Sequence, residues 1–157
     1  MGSIEIKIRE AKIDDLDTLK LFEQAVILYE RPFAPNLKKD PIEYYNLTDL
    51  ILRNDADIIV ATIDGEIVGS GYSLIKNAIP YKKPDKYAYL GFMYVLPKYR
   101  GKGINRKIIT YLLDKVKERN ITEIQLDVYA ENEIALNAYK KFGFKPNLLK
   151  MRLNTEE

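Results

Sequence analysis

Apolar residues recur along the chain with two different periods, which predict an ordered succession of strands and helices. Alternation of apolar and polar residues, as in IEIKIR at 4–9, is typical of a strand with one buried face. Apolar residues three and four apart, such as Ile104, Ile108, Ile109 and Leu112, indicate a helix with one buried side. The predicted strands are 4–9, 57–63, 66–75, 89–95, 121–129 and 148–153, and the predicted helices are 14–31, 40–53, 104–119 and 132–142.

Two local signals set boundaries between these elements. Asp64-Gly65 separates the second and third predicted strands, and this dipeptide favours a tight antiparallel hairpin. Asp40, Pro41 and Glu43 supply an N-cap, a proline at the first helical position and a capping-box glutamate. The second helix is therefore predicted to begin at Asp40.

The order of the predicted elements defines the fold class. A run of antiparallel strands followed by strand, helix and strand implies one mixed, mostly antiparallel sheet, because the crossover helix at 104–119 joins parallel neighbours. Helices are expected on both faces of this sheet. With 157 residues, of which 46% are hydrophobic, the chain is expected to form a single α/β (α+β) domain over residues 1–157.

Composition narrows the possible chemistry. The chain has no cysteine and no histidine, which excludes disulfides, thiolate nucleophiles and zinc-thiolate sites and removes the commonest general base and metal ligand. No metal site is expected. A net charge of +2 gives no field that would recruit nucleic acid or a membrane. The chain shows no apolar run near the roughly 20 residues of a membrane span and no signal-peptide pattern, so a cytoplasmic location is expected.

The stretch from Tyr87 to Lys107 has the properties of an anion site. A strand ends at Pro97 and is followed by a Gly-x-Gly turn and the start of a helix, where backbone N–H groups can hold a phosphate. Lys98, Arg100, Lys102, Arg106 and Lys107 are basic, and no acidic residue lies between Pro97 and Lys107. The N–H groups of residues 100–105 are predicted to receive a pyrophosphate; the alternative is a solvated basic turn.

Two motifs resemble those of the GNAT acetyltransferase superfamily. VLPKYRGKGINRKII at 95–109 is similar to its acetyl-CoA-binding signature, Q/R-x-x-G-x-G/A, with Arg100 and Gly103 in the first two positions. The third position is Asn105 instead of Gly or Ala, which crowds the approach of a pyrophosphate unless the amide turns outward or donates a hydrogen bond to phosphate. VYAENEIALNAYKKFGF at 128–144 resembles a later block of the same family.

The resemblance implies the acyl-CoA N-acyltransferase fold and acetyl-CoA as the acetyl donor. In that fold the strand 89–95 separates from the next strand and exposes backbone groups to the pantetheine arm and the thioester carbonyl; the alternative is an ordinary core strand. The cofactor-binding residues that the resemblance implies are Phe92, Met93, Tyr94, Val95, Arg100, Gly101, Lys102, Gly103, Ile104, Asn105 and Asn132.

The later block implies roles for two residues. By its place in the motif, Tyr139 corresponds to the family's usual general acid. A phenol has an ordinary pKa of ~10, so it is protonated at neutral pH and can donate a proton to a thiolate. Its alternative role is packing on the helix face. Asn132 corresponds to a cofactor contact, although an N-cap of the helix 132–142, which Gly143 closes, explains it equally well.

The general base and the acceptor site are less determined. Asp127, the hydroxyls of Tyr89 and Tyr94, a water chain, or a carboxylate of the first two helices such as Glu30 could remove the proton of the amine. The acceptor is expected to approach from residues 26–45, where aromatic and acidic side chains suit a cationic amine. The same aromatic residues could instead form a packing face or a dimer contact.

The sequence thus predicts transfer of acetyl from acetyl-CoA to a primary amine of a small molecule or peptide. Direct attack in a ternary complex is expected because no cysteine is present to form an acyl-enzyme. The rival prediction is a non-catalytic acyl-CoA-binding module. No nucleic acid and no membrane are expected as partners. A homodimer is compatible with the sequence.

Overall fold

Five strands form one sheet in the order β1-β2-β3-β4-β5 in a computed structural model that describes residues 4–157. The strands are β1 (Ile6–Glu10), β2 (Ala56–Ile63), β3 (Glu66–Asn77), β4 (Lys86–Val95) and β5 (Ile124–Leu126). The α-helices are α1 (Leu16–Glu30), α2 (Leu47–Leu52), α3 (Ile104–Glu118) and α4 (Glu133–Phe142). β1 to β4 pair antiparallel and β5 pairs parallel to β4, which confirms the mixed, mostly antiparallel sheet.

The chain divides into two compact units, one up to Asp127 and one from Val128 to Glu157. The first unit contains the sheet and the helices α1 to α3, and the second contains α4. Every contact described below lies within one of these units.

One face of the sheet is covered by α1 and α2. Leu19 and Phe22 of α1 and Leu50 of α2 are buried together with Ile58 and with other apolar residues of β2, β3 and β4. These residues recur at helical spacing on the helices and at alternate positions on β2, as the sequence pattern predicts.

The opposite face of the sheet is covered by α3. Ile104, Ile108 and Leu112 are at most 2% exposed. A Cβ placed on Gly71 of β3 would lie 2.8 Å from Ile108 and 3.3 Å from Leu112, so α3 packs directly on the backbone of β3. The prediction of helices on both faces is therefore confirmed within the first unit.

The hairpin between β2 and β3 forms at Asp64-Gly65, as predicted. Asp64 has φ 51° and Gly65 has φ 81°, both in the left-handed region. Two left-handed residues at the tip match the twist of the flanking strands and fix their register.

The predicted start of the second helix is wrong. The helix begins after Asn46, whose side chain accepts a hydrogen bond from the Asp49 N–H at 3.1 Å. Asp40 does not cap it, because its carboxylate pairs with Arg31 at 2.7 Å. The Glu23 carboxylate accepts the Tyr44 and Tyr45 N–H groups at 2.8 and 2.7 Å, which a helix starting at Asp40 would need for its own bonds.

The two strands predicted last are shorter or absent. The predicted strand 121–129 is reduced to the three residues Ile124–Leu126. The predicted strand 148–153 does not form; this segment lies in the second unit, in which the described residues provide no other strand for it to pair with. A strand needs a neighbour for its backbone hydrogen bonds, so an apolar alternation alone does not produce one.

Candidate active site

A bulge interrupts β4 near its end. Tyr72 of β3 pairs with Gly91, but Ser70, two residues away, pairs with Tyr94, so β4 carries one extra residue here. Phe92 lies at this point with φ 58°, a left-handed backbone that is rare for an aromatic residue. Strain of this kind persists only where the surroundings enforce it, and it is frequent at functional sites.

Two contacts, one from Ser70 of β3 and one from Tyr45, hold the bulge in place. The Ser70 hydroxyl donates to the Phe92 carbonyl oxygen at 3.0 Å, and Ser70 is fully buried. The Phe92 ring is 2% exposed and lies 5.0 Å from the Tyr45 ring, centroid to centroid. The bulge is thus a fixed part of the sheet.

β4 and β5 separate directly beside the bulge. The two strands pair at three positions, of which Leu90 with Leu126 is the last, so in the described part of the chain β4 extends past its partner from Gly91 to Val95. The Leu96 N–H binds the Val68 carbonyl at 2.8 Å, so by alternation the Val95 N–H points away from β3. Backbone groups of the predicted pantetheine-binding stretch therefore face a gap in the sheet.

The turn after β4 forms an open backbone cradle. Gly101 and Gly103 have φ 78° and 79°, and a Cβ placed on either would meet nothing within 4 Å. Gly103 is the N-cap of α3 and has no side chain with which to occupy the first N–H groups of the helix. Left-handed glycines, open space and a helix N-terminus fit a pyrophosphate.

The basic side chains of this turn differ in their contacts. The Arg100 Nε donates to the Val95 carbonyl at 2.9 Å, and its guanidinium lies 5.7 Å from the Tyr94 ring. The side chain of Arg100 thus braces the turn against β4. Lys102 is exposed, and Asn105 is half-buried in the first turn of α3.

Tyrosines and carboxylates form a cluster on the α1 and α2 side of β4. The Tyr89 hydroxyl donates to Asp127 at 3.1 Å, and the Tyr72 ring lies 6.4 Å from Tyr89 and 5.7 Å from Tyr45. Burial raises the pKa of Tyr89, and the charge of Asp127 adds to this. Burial also raises the pKa of Tyr45. Both hydroxyls are therefore protonated at neutral pH and can donate hydrogen bonds.

Glu30, at the end of α1, belongs to the same cluster. Burial raises the pKa of its carboxyl, and a hydrogen bond with Tyr44 partly opposes this rise. The charge of Glu30 in turn contributes to the raised pKa values of Tyr45 and Tyr89. A half-buried carboxyl with a raised pKa is a stronger base than an ordinary glutamate.

A polar cleft of about 430 Å³ lies between α1 and the segment that precedes α2. Glu43, Tyr44 and Tyr45 line it, as do Lys20, Glu23 and the residues 46–48. Tyr29 and Phe33, also candidates for the acceptor site, pack against each other at 5.9 Å. Tyr44 and Tyr45 are also in edge-on contact at 5.7 Å, so ring contacts occur in both parts of the expected acceptor segment, and only the second part lines the cleft.

The second unit contains the two remaining predicted residues. Asn132 accepts a hydrogen bond from the Ala135 N–H at 3.3 Å, so its side chain caps α4. Gly143 closes the helix as predicted, with its N–H on the Tyr139 carbonyl at 3.1 Å. The Tyr139 ring lies 5.9 Å from Phe144 in an edge-on contact.

Sequence reasoning did not single out Ser70, Tyr72 or Glu23. Ser70 and Tyr72 belong to a strand pattern that indicates only burial, and Glu23 is one of several acidic residues on a helix. Their contacts join residues about 20 positions apart, which no local pattern records.

Among residues 4–157, no group of three or more His, Cys, Asp or Glu side chains could hold a metal ion. No helix in the described part of the chain is both long enough and apolar enough to cross a bilayer.

Comparison with known proteins identifies the class. The profile of the acetyltransferase (GNAT) family matches residues 22–144. The chain belongs to this family and is an N-acetyltransferase. The family uses acetyl-CoA, and the open glycine turn and the gap beside β4 fit such a donor.

Individual relatives agree with this class. An N-alpha-acetyltransferase of Sulfurisphaera tokodaii is 28% identical over 149 residues, 90% of this chain and 81% of that protein. An uncharacterized N-acetyltransferase of Archaeoglobus fulgidus is 30% identical over 135 residues, 85% of this chain and 89% of that protein. A predicted acetyltransferase of Clostridium acetobutylicum, crystallised with acetyl-CoA, has the same fold, with a TM-score of 0.75, 21% identity and 96% coverage of both chains.

Proposed function

We propose that this protein acetylates the amino group of a peptide N-terminus by direct attack in a ternary complex. The observation that carries the proposal is that residues 91–105 form one segment, which leads from the gap beside β4 to the glycine turn. The family to which the chain belongs uses acetyl-CoA. The N-alpha-acetyltransferase relative supports a peptide α-amine over a small-molecule amine. The absence of cysteine supports direct transfer without an acyl-enzyme.

The donor site is assigned to two backbone devices. Acetyl-CoA, when bound, supplies the activated acetyl thioester. The N–H groups of residues 100–105 hold the pyrophosphate at the positive end of α3, which carries roughly half a unit of charge. The backbone of Phe92–Val95 holds the pantetheine arm and donates to the thioester carbonyl, where one hydrogen bond is worth about 3 kcal/mol in the transition state. Asn132 is proposed as a further contact through its backbone, since its side chain caps α4.

The acceptor side is assigned to the cluster around Glu30. Glu30 and Asp127 attract a cationic amine, and the rings of Tyr45 and Tyr72, 5.7 Å apart, add cation–π attraction. Glu30 takes the proton that makes the amine nucleophilic, because its raised pKa makes it a stronger base than an ordinary glutamate. The Tyr89 hydroxyl, which donates to Asp127 at 3.1 Å, fixes the position of that carboxylate.

Tyr139 is proposed as the general acid that protonates the departing thiolate. The matching motif supports this role, and the Tyr139 hydroxyl is the only group that the Tyr139→Phe variant removes. In that variant kcat should fall while the affinity for acetyl-CoA is kept. If Tyr139→Phe has the activity of the wild type across the pH range, Tyr139 is not the general acid.

The test of the function is CoA release from acetyl-CoA, followed with a thiol reagent over a panel of peptides, polyamines and aminoglycosides. The protein has no cysteine and adds no thiol background. We expect release with peptides that carry a free α-amine and none with the same peptides blocked at the N-terminus. Binding of acetyl-CoA without amine-dependent release would favour the non-catalytic module, and the absence of both binding and release would contradict both readings.

A further inference from the structure

A buried serine contacts the strained point of β4. Ser70 is fully buried, and its hydroxyl donates to the Phe92 carbonyl at 3.0 Å. Phe92 has the left-handed φ of 58°, and the pairing with β3 shifts by one residue at the same place. The hydroxyl therefore binds the carbonyl of the residue that has the left-handed backbone.

The direction of this carbonyl fixes the direction of the next amide. In a trans peptide the C=O and the following N–H point in opposite directions. Because the Phe92 carbonyl is held toward Ser70 on β3, the Met93 N–H is turned away from β3. That side is the gap left where β5 ends at its pairing with Leu90.

We infer that Ser70 is a positioning residue for catalysis, which aims the Met93 N–H at the thioester carbonyl through its hydrogen bond to Phe92. This inference rests on the proposed acetyl transfer. Without the hydroxyl, the peptide between Phe92 and Met93 can rotate, since left-handed backbone is costly for an aromatic residue. The donor would then be misaligned at the moment when negative charge develops on the carbonyl oxygen.

Ser73 provides a matched control on the same strand. It is 1% exposed, and among the described residues its hydroxyl has no hydrogen-bond partner. Ser70→Ala and Ser73→Ala thus each remove one buried hydroxyl group from β3, but only Ser70→Ala removes a hydrogen bond to the bulge. Thermal unfolding of both variants reports on stability separately from catalysis.

The experiment compares these variants in steady-state kinetics and in the infrared spectrum of bound acetyl-CoA labelled with ¹³C at the acetyl carbonyl. For Ser70→Ala we expect kcat to fall on the order of 10- to 100-fold with little change in KM for acetyl-CoA. The carbonyl stretch, shifted to lower frequency in the wild type and in Ser73→Ala, should return toward that of free acetyl-CoA. A purely structural role would change the unfolding temperature and leave the stretch in place.

Ser70→Ala with the kcat and carbonyl stretch of Ser73→Ala would overturn the inference. If Ser70→Ala does not fold, Ser70→Cys takes its place, because it keeps the volume with a weaker donor. A wild-type kcat and stretch in Ser70→Cys would overturn the inference, and intermediate values would support it. Failure of the wild type itself to acetylate any amine would instead contradict the proposed function.

Discussion

Phe92 shows at the scale of one residue how packing can impose a backbone that the residue would otherwise avoid. Its φ of 58° is unfavourable for any side chain, while the residue is 2% exposed and its ring packs against Tyr45. The packing of the ring is worth more than the strain costs, since loss of a buried phenylalanine ring costs about 3–5 kcal/mol.

This balance predicts an unusual order of stability. Phe92→Ala should lower the free energy of unfolding by about 3–5 kcal/mol, because it loses the ring and keeps the strain. Phe92→Gly should be at least as stable as Phe92→Ala, because glycine adopts left-handed backbone freely. Urea unfolding measures both.

Phe22, buried in α1, supplies the control for this comparison. In a helix, Phe22→Gly should be about 1 kcal/mol less stable than Phe22→Ala. The same order at position 92 would show that the backbone there is not strained.

Glu30 predicts a pH dependence of activity. Burial disfavours its charged form, so the basic form appears only above a pKa raised from the ordinary value of 4.5. kcat/KM should therefore fall on the acid side at a pH above that of an ordinary glutamate. Glu30→Gln should lower kcat/KM about 100-fold and abolish the fall of kcat/KM on the acid side. Glu43→Gln, which changes a carboxylate that lines the cleft, should retain that fall.

The same shift predicts the sign of a stability effect. A folded pKa above the unfolded one means that folding takes up a proton in the window between the two values. The wild type should therefore lose stability relative to Glu30→Gln as the pH rises through that window. Parallel curves for the two proteins would contradict a raised pKa of Glu30.

At the scale of an element, the N-terminus of α3 depends on the turn that precedes it. Gly103 is its N-cap with φ 79°, and open space surrounds the position of a Cβ. Gly65, at the tip of the β2–β3 hairpin, has φ 81° and the same open surroundings. The two glycines thus have similar left-handed φ angles, and only one of them borders the proposed pyrophosphate site.

We therefore expect Gly103→Ala and Gly65→Ala to lose a similar free energy of unfolding, about 1–2 kcal/mol each. Only Gly103→Ala should weaken acetyl-CoA binding in calorimetry, by about tenfold, because a shifted turn misaligns the N–H groups. Equal acetyl-CoA affinity in the two variants would place the pyrophosphate elsewhere.

At the scale of the whole molecule, the sheet, its hairpin and the crossover helix could be predicted from sequence because each depends on local periodicity or turn chemistry. The turn at Asp64-Gly65 and the apolar side of α3 appear where the pattern predicts them, and the strand predicted at 4–9 forms at Ile6–Glu10. The left-handed turn before α3 was predictable for the same reason, because Gly101 and Gly103 are only two positions apart in the sequence.

The features that could not be predicted depend on bonds between distant residues. Glu23 binds the backbone of Tyr44 and Tyr45, 21 and 22 positions away, and this displaces the start of α2. Ser70 binds Phe92, also 22 positions away, at a bulge that no alternation pattern records. Apolar residues at 148–153 predicted a strand, but pairing depends on a neighbour that the sequence does not specify.

The bulge has a further consequence for how β4 can vary. Because Phe92 and Met93 together oppose one residue of β3, Tyr89 and Tyr94 both face the α1 and α2 side although they are five positions apart. Deletion of one residue here would turn one of these tyrosines to the α3 side. The length of β4 is therefore constrained more tightly than its composition. Among related proteins, β4 should vary by substitution and not by insertion or deletion.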